Sequence, residues 1–233
     1  MIPALPVAPD YAHGVIPARL HRIWVGGPVP YWVAKSWDRW EDFLDQSSSF
    51  EWATYEWTEK SVEGTFLEKA VKAGRDYDLP PRGVADLMRV LAVGLYGGWY
   101  MDADVVPLRS LDDLTEQPGI HGWTCSHPAS RTQKVLWNGG FGFSPNHPYM
   151  AKIMASAVFG LERGVRNEHF LAGPRAYRAF LKDDILTEWD FDFPASASER
   201  RTMGAGGDFD YEELRAKYPA RLKHIGPTFE EAS

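Results

Sequence analysis

The chain of 233 residues is 44% hydrophobic, so it can fold as one large domain or two small ones around a well-filled core. A formal charge of −7 argues against a role in coating nucleic acid, and a single cysteine, Cys125, excludes an intrachain disulfide. The sequence shows no apolar run long enough to span a membrane and no basic start typical of a signal peptide. We therefore expect a cytoplasmic protein that has no transmembrane segment and does not bind nucleic acid.

Strands and helices alternate in the first part of the chain. Before residue 80 the predicted elements are an extended lead-in (1–16), a strand (19–25), an amphipathic helix (31–44), a strand (50–57) and a helix (58–73). Thr58 is the expected N-cap of that last helix, and Gly74 is expected to end it. Its apolar spacing predicts that Phe66 faces the core.

The stretch from 80 to 108 is the most informative part of the sequence. Its two leading prolines favour a helix start, and apolar residues recur at helical spacing as far as Leu95. Gly97 and Gly98 then stop the helix, and the aromatic and apolar residues 99–101 predict a buried strand. The resulting order of strands and helices is typical of the first half of a nucleotide-binding α/β fold.

Two pairs of charged residues mark this stretch. Asp102 and Asp104 follow the strand, and in an extended segment their side chains point the same way. Two facing carboxylates repel each other unless a cation lies between them, and oxygen ligands suit Mg²⁺ or Mn²⁺. On the preceding helix, Asp86 and Arg89 are three residues apart and share a face.

Each of these pairs also has an ordinary explanation as a turn or a surface ion pair, but their combination is specific. The stretch ADLMRVLAVGLYGGWYMDADV resembles the signature of the glycosyltransferases with a DXD sugar-binding region, a family related to yeast initiating mannosyltransferases and clostridial glucosylating toxins. Ala85 departs from the pattern, where the family usually has serine. The matching positions are Asp86, Arg89, Tyr96, Gly97, Gly98, Tyr100, Asp102 and Asp104.

The resemblance implies a GT-A fold, which is a single α/β domain with a mixed central sheet flanked by helices. Residues 17–110 would form its nucleotide-binding half and residues 111–233 its acceptor-side half. The implied catalytic residues are Asp86, Arg89, Asp102 and Asp104. Of these, Asp86 and Arg89 would contact the sugar, ribose or phosphate of the donor, and the other two would hold Mn²⁺ or Mg²⁺.

The opening IPARLHRIWVGG also resembles that of the family, with matches at His21, Trp24 and Gly26. This implies that Trp24 stacks on the nucleotide base while the backbone at Val25 and Gly26 binds the edge of the base. A core position is the alternative for Trp24. We interpret His21 as a structural histidine.

Two later residues are candidates for the same site. Asn138, in an Asn-Gly-Gly sequence, either contacts the transferred sugar or the acceptor, or belongs to a hairpin turn. His224 is a candidate ligand of the metal or of phosphate, although the tryptophan that usually follows this histidine in the family is missing.

The sequence therefore predicts a metal-dependent transferase that moves a sugar from a UDP- or GDP-sugar to a glycan, lipid-linked glycan or protein, with retention at the anomeric carbon as the resemblance implies. A nucleotide-sugar hydrolase and a catalytically silent nucleotide-sugar-binding protein are the alternatives.

Overall fold

A mixed six-stranded sheet forms the centre of the computed structural model, which describes residues 14–130, 133–180, 185–188, 211–218 and 221–224. The strands are β1 (Arg19–Ile23), β2 (Ala53–Trp57), β3 (Gly98–Met101), β4 (Val105–Pro107), β5 (Gly122–Ser130), β6 (Gln133–Phe143), β7 (Leu186–Glu188) and β8 (Leu222–His224). The helices are α1 (Tyr31–Ser47), α2 (Glu68–Asp76), α3 (Pro81–Tyr96), α4 (Pro148–Glu162), α5 (Glu168–Leu171), α6 (Pro174–Phe180) and α7 (Tyr211–Lys217). Within these described ranges, no helix has the length and apolar character needed to cross a bilayer.

The sheet has the order β2-β1-β3-β6-β5-β7. β1 runs parallel to both β2 and β3, whereas β6 is antiparallel to its neighbours β3 and β5. A separate antiparallel pair joins β4 to β8. The predicted fold class, a single α/β domain whose mixed sheet is flanked by helices, is confirmed.

Both faces of the sheet are covered, and strand β3 shows how its residues divide between them. Trp99 and Met101 pack in a cluster with Trp40 of α1, whereas Tyr100 points to the other face and packs in the cluster that holds α3 and α4. Side chains of a strand alternate between its two faces, so the residue two positions after Tyr100 starts on the α3 side of the sheet.

The joint between α3 and β3 depends on two glycines, as predicted. Gly97 follows the last helical residue with φ of 64°, and Gly98 continues with φ of 102°. A β-carbon on Gly98 would collide with the backbone carbonyl of Arg19, so β3 could not pair closely with β1. These backbone angles are rarely adopted by residues other than glycine.

The helix predicted over 58–73 is wrong at both ends. α2 begins only at Glu68, because Thr58 and Ser61 hydrogen bond to each other's backbone N–H in a run of turns and Gly64 adopts φ of 72°. Gly74 does not end the helix but lies inside it, where its bare α-carbon accommodates a methyl group of Val84. Phe66 is consequently 45% exposed and does not face the core.

His21 is a satisfied structural histidine, as predicted. It is fully buried in β1; its Nδ1 accepts a hydrogen bond from the Trp57 indole at 3.0 Å, and its Nε2 donates to the carbonyl of Gly97 at 2.8 Å. Indole N–H can only donate, and this fixes the neutral tautomer. Burial lowers the pKa of His21 to about 4.

We expect this histidine to make stability depend on pH. Between pH 6.5 and 4 the unfolded chain binds a proton that the folded chain excludes, so stability present above pH 6.5 is lost as the pH falls. At pH 7.5, His21→Ala should lower the free energy of unfolding by about 2–4 kcal/mol, because it orphans two buried polar groups.

Urea unfolding of both proteins at pH 7.5 and pH 4.5 measures this effect. The difference in the free energy of unfolding between wild type and His21→Ala should decrease by about 2–3 kcal/mol at the lower pH, since only the wild type loses the contribution of His21. Other titrating groups are common to both proteins and cancel in the difference. If this difference in the free energy of unfolding is the same at both pH values, the result would contradict the assigned tautomer and burial of His21.

Candidate active site

An open cleft of about 820 Å³ lies where β1 and β3 end. The carboxyl ends of neighbouring parallel strands form the usual ligand site of an α/β sheet. This cleft brings together the sequence-predicted residues that follow β1, Arg89 of α3 and the acidic pair. Its lining consists of Ile23, Trp24, Val25, Gly26, Trp32, Pro81, Arg82, Ala85, Arg89, Tyr100, Asp102, Ala103 and Asp104.

The acidic pair lies in a turn and not in the predicted extended segment. β3 stops at Met101, and the backbone N–H of Val105 donates to the carbonyl of Asp102 at 3.0 Å, which closes a four-residue turn. Aspartate is favoured at the first position of such turns. Asp102 and Asp104 nevertheless both line the cleft, each partly buried, as the sequence predicted.

The guanidinium of Arg89 is the centre of the charged network. Its Nη2 pairs with Asp86 at 2.9 Å and its Nη1 with Asp102 at 3.1 Å, while Nη1 also donates to the backbone carbonyl of Asn138 at 2.7 Å. Burial alone would lower the pKa of Arg89, but Asp102, Tyr100 and Asp86 raise it above its ordinary value. Arg89 therefore carries a permanent positive charge that two carboxylates share.

Asp86 and Asn138 lie one layer behind Arg89 and are absent from the cleft wall. Asp86 is 7% exposed and accepts a hydrogen bond from the side-chain amide of Asn138 at 2.9 Å. Burial raises the pKa of Asp86 to about 7, against the lowering influence of Arg89. Asn138 belongs to the middle of β6, so the hairpin-turn explanation for it is wrong.

Sequence reasoning gave no role to Tyr100, although it matched the family signature. Its hydroxyl donates to Asp102 Oδ1 at 2.6 Å, the same oxygen that Arg89 contacts. Burial raises the pKa of Tyr100 well above its ordinary value, so the hydroxyl keeps its proton at physiological pH. Arg89 also stacks on the Tyr100 ring, 4.5 Å from its centroid. The two-residue spacing from Asp102 could have indicated this contact.

Gly139 has no side chain and so leaves room for the carboxylate of Asp102 beside β6. The backbone N–H of Asp102 donates to the Gly139 carbonyl at 2.7 Å, and a β-carbon on Gly139 would overlap Asp102 Oδ2 and the indole of Trp137. An Asn-Gly-Gly sequence can form a tight turn or let another group approach the backbone closely. In the structure the carboxylate of Asp102 makes this close approach to Gly139.

Trp24 forms an aromatic corner in the lining of the cleft. Its ring meets Trp32 edge-on at 5.8 Å, and its indole N–H donates to the carbonyl of Pro28 at 3.1 Å. Trp32 was not singled out from the sequence, because its position at the start of α1 gave no signal for a cleft. Val25 and Gly26 continue the same wall, and the Gly26 N–H donates to Glu59 at 3.0 Å.

His224 lies in β8, where its backbone pairs in register with Val105, the residue directly after the acidic turn. The structure thus brings the main chain of this predicted ligand next to Asp104. Its side chain lies outside the described residues, so its role as a ligand stays a prediction.

The donor chemistry at the turn suits a hard divalent cation. Two carboxylates line one cleft, and Mg²⁺ or Mn²⁺ commonly takes one or two of these and completes its shell with water and phosphate oxygens. Among the residues that the structure describes, no group of three or more His, Cys, Asp and Glu side chains is arranged to hold a metal by itself. An ion held by these two carboxylates would therefore complete its shell with water or with oxygens of a ligand.

We expect Gly139→Ala to disrupt this network. The added methyl group must displace Asp102 or Trp137 and should lower the free energy of unfolding by about 1–3 kcal/mol. Urea unfolding measures the change. Gly83→Ala is the matched control, since its β-carbon would meet neighbours only at 3.5–3.6 Å, and we expect it to be neutral or slightly stabilising. Equal stability of Gly139→Ala and wild type would contradict the close approach.

The solved structures most useful for comparison are both glycosyltransferases. The PaToxG glycosyltransferase superimposes with a TM-score of 0.52 at 15% identity, covering 72% of this chain and 70% of that chain. An active-site mutant of LgtC gives a TM-score of 0.52 at 12% identity, covering 90% and 88%. These similarities confirm the GT-A fold that the sequence resemblance implied.

Sequence comparison finds relatives that are longer than this chain. Inositol phosphoceramide mannosyltransferase 3 of Schizosaccharomyces pombe is 27% identical over 159 residues, which is 66% of this chain and 40% of that protein. A protein named Toxin from Photorhabdus asymbiotica subsp. asymbiotica is 28% identical over 101 residues, 43% of this chain and 3% of the toxin. The chain thus spans less than half of the length of either relative.

The family comparison covers the same part of the chain as the cleft. Residues 9–121 match the family described as "Glycosyltransferase sugar-binding region containing DXD motif", and the matched range holds Trp24, Asp86, Arg89 and the acidic turn. Residues 9–121 of this chain are therefore similar to the DXD-containing glycosyltransferases that the sequence resemblance indicated.

Proposed function

We propose that this protein transfers a hexose from a nucleoside-diphosphate sugar, a UDP- or GDP-sugar, to an acceptor hydroxyl and retains the configuration of the anomeric carbon. The observation that carries the proposal is a single cleft that is lined both by an aromatic corner and by two carboxylates. A nucleotide sugar has matching parts, because it joins a flat base to a diphosphate and a sugar. The volume of about 820 Å³ is within the usual range of about 300–1,000 Å³ for ligand sites.

Asp102 and Asp104 would hold Mn²⁺ or Mg²⁺ beside the diphosphate, with His224 as a further candidate. When bound, such an ion supplies positive charge that stabilises the departing diphosphate. The chain itself prepares the site, because Tyr100 and Arg89 both donate to Oδ1 of Asp102 and fix the orientation of this carboxylate before any ligand arrives. A preorganised group does not need to rearrange during the reaction.

Arg89 would bind the sugar or a phosphate oxygen from the cleft wall, where its guanidinium offers fixed donors. The geometry supports a positioning role for Asp86 and Asn138, since both contact Arg89 from behind. The direct contact of these two residues with the sugar stays a prediction. Trp24 would stack on the base, with Trp32 as the second side of the corner.

Retention would follow from attack on the face of the sugar that the diphosphate leaves. The acceptor hydroxyl forms the new bond to the anomeric carbon as the bond to the diphosphate oxygen breaks, and that oxygen takes the hydroxyl proton. No dedicated side-chain base is then required. We further propose a glycan, lipid-linked glycan or protein as the acceptor, and the cytoplasm as the place of the reaction.

We expect Asp102→Asn and Asp104→Asn to lower sugar transfer at least about 100-fold, because each weakens the charge that holds the cation. Initial rates at saturating Mn²⁺ measure the loss, and the thermal midpoint monitors the fold. Asp45→Asn is the matched control, since Asp45 is exposed on α1 away from the cleft. Full activity in either cleft variant would refute the role of that aspartate.

The donor and the reaction class can be tested together on the wild-type protein. We expect a UDP- or GDP-sugar with Mn²⁺ to raise the thermal midpoint, because a ligand that binds only the folded state stabilises it. Released nucleoside diphosphate should then increase at least about tenfold when a suitable acceptor is added. Equal release with and without each acceptor in a panel of glycans would indicate a hydrolase, and binding without release would indicate a silent binding protein.

A further inference from the structure

The turn before α2 and the outer surface of α4 carry large apolar side chains in contact with water. Phe159 is 54% exposed, Val158 48% and Phe66 45%. We call these three residues, together with Lys69 and Arg163, the basic–aromatic face. Isolated exposed apolar residues are ordinary, but Phe66, Lys69 and Val158 line one groove, and Phe159 follows Val158 on α4.

The groove is almost entirely apolar. It has a volume of about 180 Å³ and runs between α2 and α4 above α3, whose Leu87 and Leu91 form part of its lining. Ala70 and Ala73 of α2 keep it open because their side chains are short. The groove and its exposed rim are therefore an apolar surface that water covers poorly.

Cations accompany the exposed rings. The ammonium group of Lys69 lies 4.0 Å from the Phe66 ring centroid, and the guanidinium of Arg163 lies 3.9 Å from that of Phe159. In the part of the chain that the structure describes, neither cation pairs with a carboxylate. Their charges are thus presented outward together with apolar surface.

The segment that contains α4 is positive in a negative protein. Residues 148–180 contain five Lys and Arg residues, at 152, 163, 166, 175 and 178, and two Glu residues, at 162 and 168, which gives a local charge of +3 in a chain of −7. Glu168 is buried and pairs with Arg82, so it contributes little to the outer field. The segment 58–78, which holds Phe66 and Lys69, has four Lys and Arg residues and five Asp and Glu residues, so the excess of positive charge comes from the α4 side of the groove.

We propose that the basic–aromatic face docks on the surface of an anionic lipid bilayer. Aromatic and aliphatic side chains with interspersed Lys and Arg are the composition that binds such interfaces, where the rings enter the headgroup region and the cations contact lipid phosphates. A second copy of this chain fits less well, because a symmetric contact would place positive charge against positive charge.

Docking at this face leaves the cleft accessible. Ala85 and Arg89 of α3 line the cleft, whereas Leu87 and Leu91 of the same helix line the groove. At about 100° per residue these two pairs lie on opposite sides of the helix. The proposal thus does not depend on the proposed function, and it applies equally to a protein without transferase activity.

Cosedimentation with vesicles tests the proposal. The full chain is mixed at low salt with vesicles of phosphatidylcholine alone or with about one third phosphatidylserine. We expect binding to the anionic vesicles only. Lys69→Glu/Arg163→Glu should weaken it at least about 100-fold, since four units of charge change near the surface. Phe66→Ser/Phe159→Ser should weaken it at least about tenfold.

Matched controls separate the face from the rest of the surface. Arg109→Glu changes an exposed cation elsewhere, and Tyr31→Ser removes an aromatic ring that is 77% exposed. Both should bind as the wild type does, and thermal midpoints should show that every variant folds.

Three results would overturn the proposal. The first is no binding of the wild type to anionic vesicles. The second is an equal loss in the controls. The third is binding that responds to the charge variant but not to Phe66→Ser/Phe159→Ser, which would indicate a general polyanion surface. Concentration-dependent self-association that the face variants abolish, without vesicle binding, would assign the face to a second copy instead.

Discussion

A single buried guanidinium, that of Arg89, holds the charged part of this protein together. It joins a carboxylate from its own helix, a carboxylate from the turn after β3, and a backbone carbonyl of β6. Removing a partner from such a buried ion pair commonly costs about 3–5 kcal/mol, because the remaining charge has no water to replace it. Arg89 therefore ties α3 to the turn after β3 and to β6 at the cleft.

This arrangement also explains how two acidic residues can share a site before a cation arrives. Tyr100 and Arg89 donate to the same oxygen of Asp102, so part of its negative charge is already balanced. Burial meanwhile raises the pKa of Asp86 to about 7, so near neutral pH this carboxyl is neutral in part of the molecules. The chain thus limits the repulsion among its own carboxylates by hydrogen bonding and by burial.

Local patterns predicted much of the fold and the membership of the site. Helix α3, the glycine joint and the β-α-β-α-α-β order follow from apolar spacing and from glycine's backbone freedom, which are properties of short segments. Local patterns do not predict which residues of the site line the cleft and which lie behind them. That Asp86 lies behind Arg89, or that Gly139 admits a carboxylate, depends on how β6 packs against a helix 50 residues earlier. The helix prediction was wrong over residues 58–67, because Thr58 and Ser61 stabilise turns there and their spacing also suits a helix cap.

The position of β6 limits what the family-matched part of the chain can do by itself. Residues 9–121 end before the strand that supplies the carbonyls of Asn138 and Gly139, and before β8, which pairs with β4. A fragment cut at that boundary would leave β4 without its described partner strand and would turn β3, still paired with β1, into an edge strand whose unpaired backbone groups favour aggregation. Anyone grafting this sugar-binding region onto another scaffold must therefore carry the later hairpin along or supply an equivalent strand.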